Sequence, residues 1–330
     1  MVGTTSEKSI TRRLDYDHAG RLLKTWHQVS GVAEVLLTSN EYNELGQLVD
    51  KKLHSSDNGT TFKQSTDYRY NIRGWLTSIN NPTLSLGASN DDTNDLFGMN
   101  LGYENDLVAG NTPEFNGNIS SMTWSTNLGL GSTKSLAYNY SYDTLNRIKA
   151  AAFKKFNGVT WSNLADALSE SGYKYDLNGN IKALTRKDNI GGTLDALTYD
   201  YGAGTAVSNQ LLGVSDGGNL QKGFIDGNIG SADYAYDANG SMTLDKNKSI
   251  TAIIYNHLNL PTQVTKNSGD YIKYIYDAGG RKLSQQVYDV NNVLKKKTDY
   301  LGEYFYENDT LKFINHEEGR VVMTGTAPEY

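Results

Sequence analysis

The chain repeats one short phrase, and that repetition constrains its fold more than any other property. The clearest copy runs from Tyr173 to Leu184 as Tyr-Lys-Tyr-Asp-Leu-Asn-Gly-Asn-Ile-Lys-Ala-Leu. Tyr173 and Tyr175 are two apart, so in an extended chain both rings leave the same face. Asp176 opens a turn, where its carboxylate accepts from a backbone N–H two residues on. Gly179 supplies the positive φ needed by a type I turn closed by a bulge. Ile181 restarts the apolar pattern and predicts the return strand. One phrase therefore predicts one β-hairpin with an aromatic first strand.

The phrase recurs around Tyr16, Asp17 and Gly20, around Tyr42 and Gly46, and around Tyr70 and Gly74. Tyr142 and Asp143 carry another copy, with Asn146 at the left-handed position, where Asn is the next-best residue. Tyr175, Asp176 and Gly179 are followed by Tyr236, Asp237 and Gly240, then by Tyr276, Asp277 and Gly280. Weaker copies start at Tyr255 and Tyr304; Tyr199-Asp200-Tyr201 keeps the strand without the turn, and Phe115-Asn116-Gly117 keeps the turn without the Tyr-Asp. These Tyr, Asp and Gly residues are expected to be structural, each aspartate serving its own turn. The residue closing each turn (Arg21, Arg147, Asn180, Arg281) is expected to bond to a neighbouring repeat.

The Tyr-Asp-x-x-Gly-Arg-Leu unit resembles the signature of the RHS/YD-repeat family, and the resemblance covers the chain from about Leu14 to about Val321. The text around Asn94 to Met99, Phe115 to Trp124 and His316 to Arg320 is similar to RHS proteins of Bacteroidetes. The resemblance implies a hollow, spiral β-cage that shields a polypeptide, commonly an antibacterial toxin, with this chain as part of the wall. It also implies secretion or cell-surface display, no catalysis by this segment, and partners in the rest of the parent polypeptide and its C-terminal cargo. The family's self-cleaving aspartyl protease belongs to an end region that would begin where Ala327-Pro328-Glu329-Tyr330 stands, so none of its residues carries over.

The residues favour an all-β chain of tandem antiparallel hairpins forming a curved strip. A lone hairpin is marginal, and stacking the next beside it covers the aromatic face and the open edge. Strand twist then curls the strip. Propeller blades would need a near-constant period of about 40–45 residues, whereas these turns come at unequal intervals. The expected organisation is a lead-in over 1–13, repeats over 14–321 broken by an insertion at about 80–113, and a tail over 322–330. Residues 161–170 suit either a short helix capped by Ser162 or a strand–loop excursion.

Composition narrows the function classes. Tyr supplies 23 residues against 8 Phe and 4 Trp, which suits rings packed on one side with hydroxyls reaching water or a partner. Gly at 33 against Pro at 4 fits tight turns and argues against a Pro-rich linker. A net charge of −6, mixed in sign, leaves no footprint for nucleic acid. With 0 Cys there are no disulfides or thiolate metal sites. No apolar run approaches the roughly 18 residues of a membrane helix, and Met1 to Ile10 lacks the pattern of a signal peptide, so a secreted parent would carry its leader elsewhere.

Chemical constellations are sparse, and no cofactor or metal is expected. Asn90-Asp91-Asp92-Thr93-Asn94-Asp95 offers hard-cation ligands, but its spacing fits no EF-hand and such clusters suit ordinary turns. His18 and His257 occupy variable turn positions and should face solvent, and His316-Glu317-Glu318 lacks the second His of a zinc helix. Gly129 to Lys134 lacks the order of a phosphate loop, and Gly202-Ala203-Gly204 reads as a bulge. Trp26, Trp75, Trp124 and Trp161, with the Tyr rows, should be wall packing. If exposed, they give the alternative reading, an adhesion module binding glycan or a cell-surface protein.

Overall fold

The structure, a computed structural model, describes residues 8–87, 91–92, 94–105, 107–127, 134–163, 166–203, 208–230, 232–325 and 327–330. Among these there is no helix, and the paired strands run antiparallel. The chain divides into two compact units, one of residues 1–171 and 187–192, the other of 172–186 and 193–330.

The first unit carries β1 (Ile10–Tyr16), β2 (Leu22–Val29), β3 (Val35–Tyr42), β4 (Leu48–Ser55), β5 (Gln64–Tyr70), β6 (Leu76–Ile79), β7 (Phe97–Gly102), β8 (Ser121–Thr126), β9 (Lys134–Tyr142), β10 (Ile148–Phe156) and β11 (Trp161–Ser162). Each of β1 to β10 pairs with the next, and β11 folds back on β10. Residues 161–162 are thus strand, and the described residues that follow form a turn, the strand–loop alternative.

The strand β12 (Glu170–Tyr175) opens in the first unit, with Ala151 of β10 opposite Glu170. The second unit goes on through β13 (Ile181–Lys187, to Arg186), β14 (Thr193–Asp200) and β15 (Gly213–Asp216). An eleven-stranded sheet then follows chain order: β16 (Tyr234–Tyr236), β17 (Met242–Asp245), β18 (Ile250–Tyr255), β19 (Pro261–Lys266), β20 (Tyr271–Tyr276), β21 (Lys282–Tyr288), β22 (Leu294–Leu301), β23 (Tyr304–Glu307), β24 (Thr310–His316), β25 (Gly319–Thr324) and β26 (Ala327–Glu329).

Chain-order pairing follows from the turns. Asp17 accepts from the N–H groups of Ala19 (2.8 Å) and Arg21 (2.9 Å) through one oxygen, and Gly20 stands at φ +79°. The same geometry holds at Asp143, Asp176, Asp237 and Asp277, and with Asn43, Asn71 and Asn256 in place of Asp. Beyond the turn the return strand carries one extra residue, so a bulge falls beside the tyrosine before the turn: at Tyr16, Tyr42, Tyr70, Tyr236, Tyr255 and Tyr276. Such bulges increase local right-handed twist. The Tyr304 copy departs from this. Its strands join through Asn308 and Asp309, both at positive φ (47° and 63°), the signature of a type I′ turn.

The closing residue bonds to its own turn: Arg21 Nε to Asp17 (2.6 Å), Arg147 Nε to Asp143 (2.7 Å), Asn180 Nδ2 to Asp176 (2.9 Å) and Arg281 Nε to Asp277 (3.2 Å). The carboxylate's second oxygen points back along the turn at the position four residues on, so the nearest donor wins. The expected bond to a neighbouring repeat is present at Arg21 and Asn180, the former donating to the Asn43 carbonyl at 3.2 Å and the latter to Asn209 Oδ1 at 2.8 Å.

Candidate functional site

Three arrangements concentrate polar or aromatic chemistry. The first is a row of tyrosine hydroxyls. Tyr42 donates to the Leu22 carbonyl (2.8 Å), Tyr70 to Leu48 (2.9 Å) and Tyr142 to Ile119 (2.8 Å) in the first unit. In the second, Tyr236 donates to Leu211 (2.7 Å), Tyr255 to Met242 (2.7 Å) and Tyr276 to Pro261 (2.9 Å). In each case the tyrosine preceding one turn reaches the residue just past the preceding turn. Tyr103, outside any copy of the phrase, does the same to Leu76 at 2.8 Å. The row thus takes in the turn at Phe115-Asn116-Gly117 and reaches Leu211, where the sequence shows no copy of the phrase. The partner of each hydroxyl was illegible in sequence, because it is another hairpin's backbone.

Side chains extend the row along the turn edge. Asn116 Nδ2 donates to Asn146 Oδ1 at 2.8 Å, and Asn178 and Asn180 both donate to Asn209 Oδ1, at 3.0 and 2.8 Å. Gly117, at φ +98°, lies under Trp75, where a Cβ would meet the indole at 3.2 Å. The turn aspartates titrate low for local reasons. Backbone donation from Arg21 and from Arg147 is the main cause at Asp17 and Asp143, and the Asn180 side chain is the main cause at Asp176. His18 and His257 are exposed turn residues.

The second arrangement is a two-faced sheet from β7 to β10. One face pairs Gly98, Asn100 and Gly102 with Ser125, Thr123 and Ser121, and these with Ser135, Ala137 and Asn139. It is small, polar and mostly buried, because loops from the 80–113 region and beyond lie on it. A Cβ on Gly98 would stand 1.9 Å from the Asn81 carbonyl oxygen, so only glycine allows that approach. The opposite face carries Met99, Met122, Trp124, Tyr138 and Tyr140, all half-buried. Trp124 stacks on Tyr138 (5.6 Å), and Tyr138 meets the buried Phe153 edge-on (5.4 Å). Burial pushes the Tyr140 hydroxyl up to about 12. Mixed Met and aromatic surfaces adapt to varied partners.

The tryptophans divide accordingly. Trp26 is buried, with Nε1 donating to Asp15 (3.0 Å) and Arg13 over its ring (4.3 Å), whereas Trp75, Trp124 and Trp161 are half-buried. In the second unit a comparable row runs from Tyr300 to Phe305 (5.0 Å) and Phe313 (4.2 Å), with Lys282 over Tyr300 and Arg320 over Phe313.

The third arrangement is an acidic nest. Asp50, Asp67 and Asp91 bring carboxylate oxygens within 4.8 Å of one another, so the acidic stretch read from sequence meets two buried aspartates from β4 and β5. Asn90 and Thr93 of that stretch lie outside the described residues, as do Gly129 to Thr133 and Gly204. Lys52 lies 2.9 Å from Asp50 and Ser65 donates to Asp50 at 2.7 Å. Hydrogen bonding to Asp50 raises the Lys52 ammonium, while desolvation raises the Asp67 and Asp92 carboxyls. Three oxygens of this kind suit a hard cation, but the Lys52 ammonium already acts as the counter-ion.

No family model matches the chain, and no curated protein matches it. Among solved structures it is similar to TcdB2-TccC3 without its hypervariable C-terminal region (TM-score 0.63, 19% identity) and to TcdB2-TccC3-Cdc42 (TM-score 0.62, 19% identity). It is also similar to the Photorhabdus luminescens Tc holotoxin pore (TM-score 0.60, 18% identity). Each match covers 96% of this chain and 14% of the other. Likeness at this identity shows the fold, an all-β succession of antiparallel hairpins as the YD-repeat resemblance implies.

Proposed function

We propose that this chain is a structural shell segment of a secreted or cell-surface RHS-type protein, and that its wall encloses and shields a polypeptide cargo such as an antibacterial toxin. The observation that carries the reading is the edge-to-edge order of the hairpins within each unit, tied turn to turn by tyrosine hydroxyls. That arrangement produces an extended partition, in which the Tyr, Asp and Gly of each turn serve as fasteners. The half-buried Met and aromatic face of β7 to β10 supports it, since such a face offers many weak, adaptable contacts. The role is mechanical, and its partners are the remainder of the parent polypeptide and whatever lies inside. One of the similar solved structures is named as a Tc holotoxin pore, which favours a cargo of that kind.

The test is to produce this chain together with the polypeptide encoded directly after it and to digest with protease. Shielding predicts a downstream segment cut much more slowly than when made alone, and equal rates refute the reading. Glycan-array binding that vanishes with Trp124→Ala would instead favour adhesion through the same aromatic face.

A further inference from the structure

Beneath the loop that follows β7, polar atoms are buried without partners. Ser121 is fully buried and Asn139 is 7% exposed, and neither Ser121 Oγ nor Asn139 Oδ1 has a hydrogen-bond partner. Asn111 Oδ1 shares that condition. The positions are neighbours. Ser121 and Asn139 stand opposite each other across β8 and β9, and the backbone bond from Tyr140 N to Ser120 O (2.9 Å) makes theirs the non-hydrogen-bonded kind of pair, where side chains come closest. Asn111 reaches the same spot from the loop, its Nδ2 donating to Ser120 Oγ at 2.9 Å and to the Asn105 carbonyl at 3.0 Å. Asn139 Nδ2 points to the Ala109 carbonyl at 3.4 Å. Both amides thus spend their NH2 groups on these partners and leave their oxygens for something else. β7 contributes Gly102 here, and Ser121 Oγ lies where a side chain would stand, since a Cβ would be 2.5 Å from it.

We propose that this is an internal hydration site, holding one ordered water that bridges the loop to the sheet. The chemistry matches in kind and number. The site offers two acceptors, Asn111 Oδ1 and Asn139 Oδ1, and one donor, the Ser121 hydroxyl. A water has two protons to give and lone pairs to receive, and internal waters characteristically make about three hydrogen bonds. A cation would not explain the Ser121 proton, and an apolar guest would leave all three groups unpaired. The water serves as a peg for the loop over the buried polar face.

Crystallography with ordered solvent resolved supplies the first test. The expected result is one density peak at hydrogen-bond distance, about 2.7–3.2 Å, from at least two of the three oxygens. No peak, or a peak at the roughly 2.4 Å of an oxygen-bound metal ion, overturns the proposal. In solution, a long-lived water should give magnetisation transfer to the Gly102 and Ser121 amides, and its absence likewise overturns it. The double variant Ser121→Ala, Asn139→Leu should lose that transfer and speed amide exchange at Asn111 by about tenfold or more. A folded double variant that keeps the transfer refutes the assignment. Should it fail to fold, Ser121→Ala alone, which keeps both acceptors, should retain the water, and losing it there refutes the bridging geometry.

Discussion

Replacing Tyr142 with Phe removes one hydroxyl and leaves the ring and the adjacent register shift in place. The hydroxyl donates at 2.8 Å to the Ile119 carbonyl of the preceding turn, and the phenol is half-buried. A typical net hydrogen bond contributes about 0.5–1.5 kcal/mol, so Tyr142→Phe should cost about 1 kcal/mol. Tyr42→Phe and Tyr70→Phe break the corresponding bonds to Leu22 and Leu48. The three lie in separate hairpins, so the triple variant should lose roughly 3 kcal/mol by additivity of distant sites. Tyr16 is the internal control: it precedes the first turn, is 55% exposed, and should be replaceable by Phe at little cost. Urea titration reads the difference as a lower midpoint at unchanged slope. If Tyr142→Phe costs no more than Tyr16→Phe, the hydroxyl row is not a fastening and the argument fails. Alkali gives a second reading. Burial raises Tyr142, and pushes Tyr140 up to about 12, above the ordinary 10.0. The folded chain therefore holds these protons after the unfolded chain has lost them. Their contribution is complete below pH 10 and is lost as pH rises through the folded values. Stability should fall above pH 10, less steeply in Tyr142→Phe.

Gly98→Ala would drive a methyl group to within 1.9 Å of the Asn81 carbonyl oxygen. It should detach the overlying segment or unfold the first unit, seen as faster amide exchange near Asn80 and Asn81, and native exchange would disprove the close packing. The turn carboxylates Asp17, Asp143 and Asp277 lie below their ordinary 3.8, so the stability they confer is present above that value and drains away as pH falls through the lower folded values; Asn at all three should flatten the acid limb of the stability profile. Asp309→Gly places glycine at φ 63° in the two-residue turn and should stabilise by about 0.5 kcal/mol, read as a raised urea midpoint.

The local unit was legible in the sequence because every determinant lies within about six residues. Asp176 finds the N–H of Asn178, Gly179 takes the positive φ, and Ile181 starts the return strand without help from elsewhere. Tyr288-Asp289 is a further copy whose turn lacks the glycine that marks the others. Asn292 at φ 63° takes the place of glycine, and Asp289 accepts from Asn291 and Val293 as Asp176 does from its own turn.

What tertiary structure decided are the partners that lie a hairpin or more away. The tyrosine hydroxyls find carbonyls a hairpin away, Leu211 joins the same row, and Asp91 meets Asp50 and Asp67. Burial of the small polar face of β7 to β9 could not be inferred from patterning, which assigns burial to apolar faces. It depends on loops settling where Gly98 and Gly102 present no side chain. Sequence dictates structure where the interacting groups are joined by a short tether; where separate hairpins must meet, only the assembled sheet sets which face is covered.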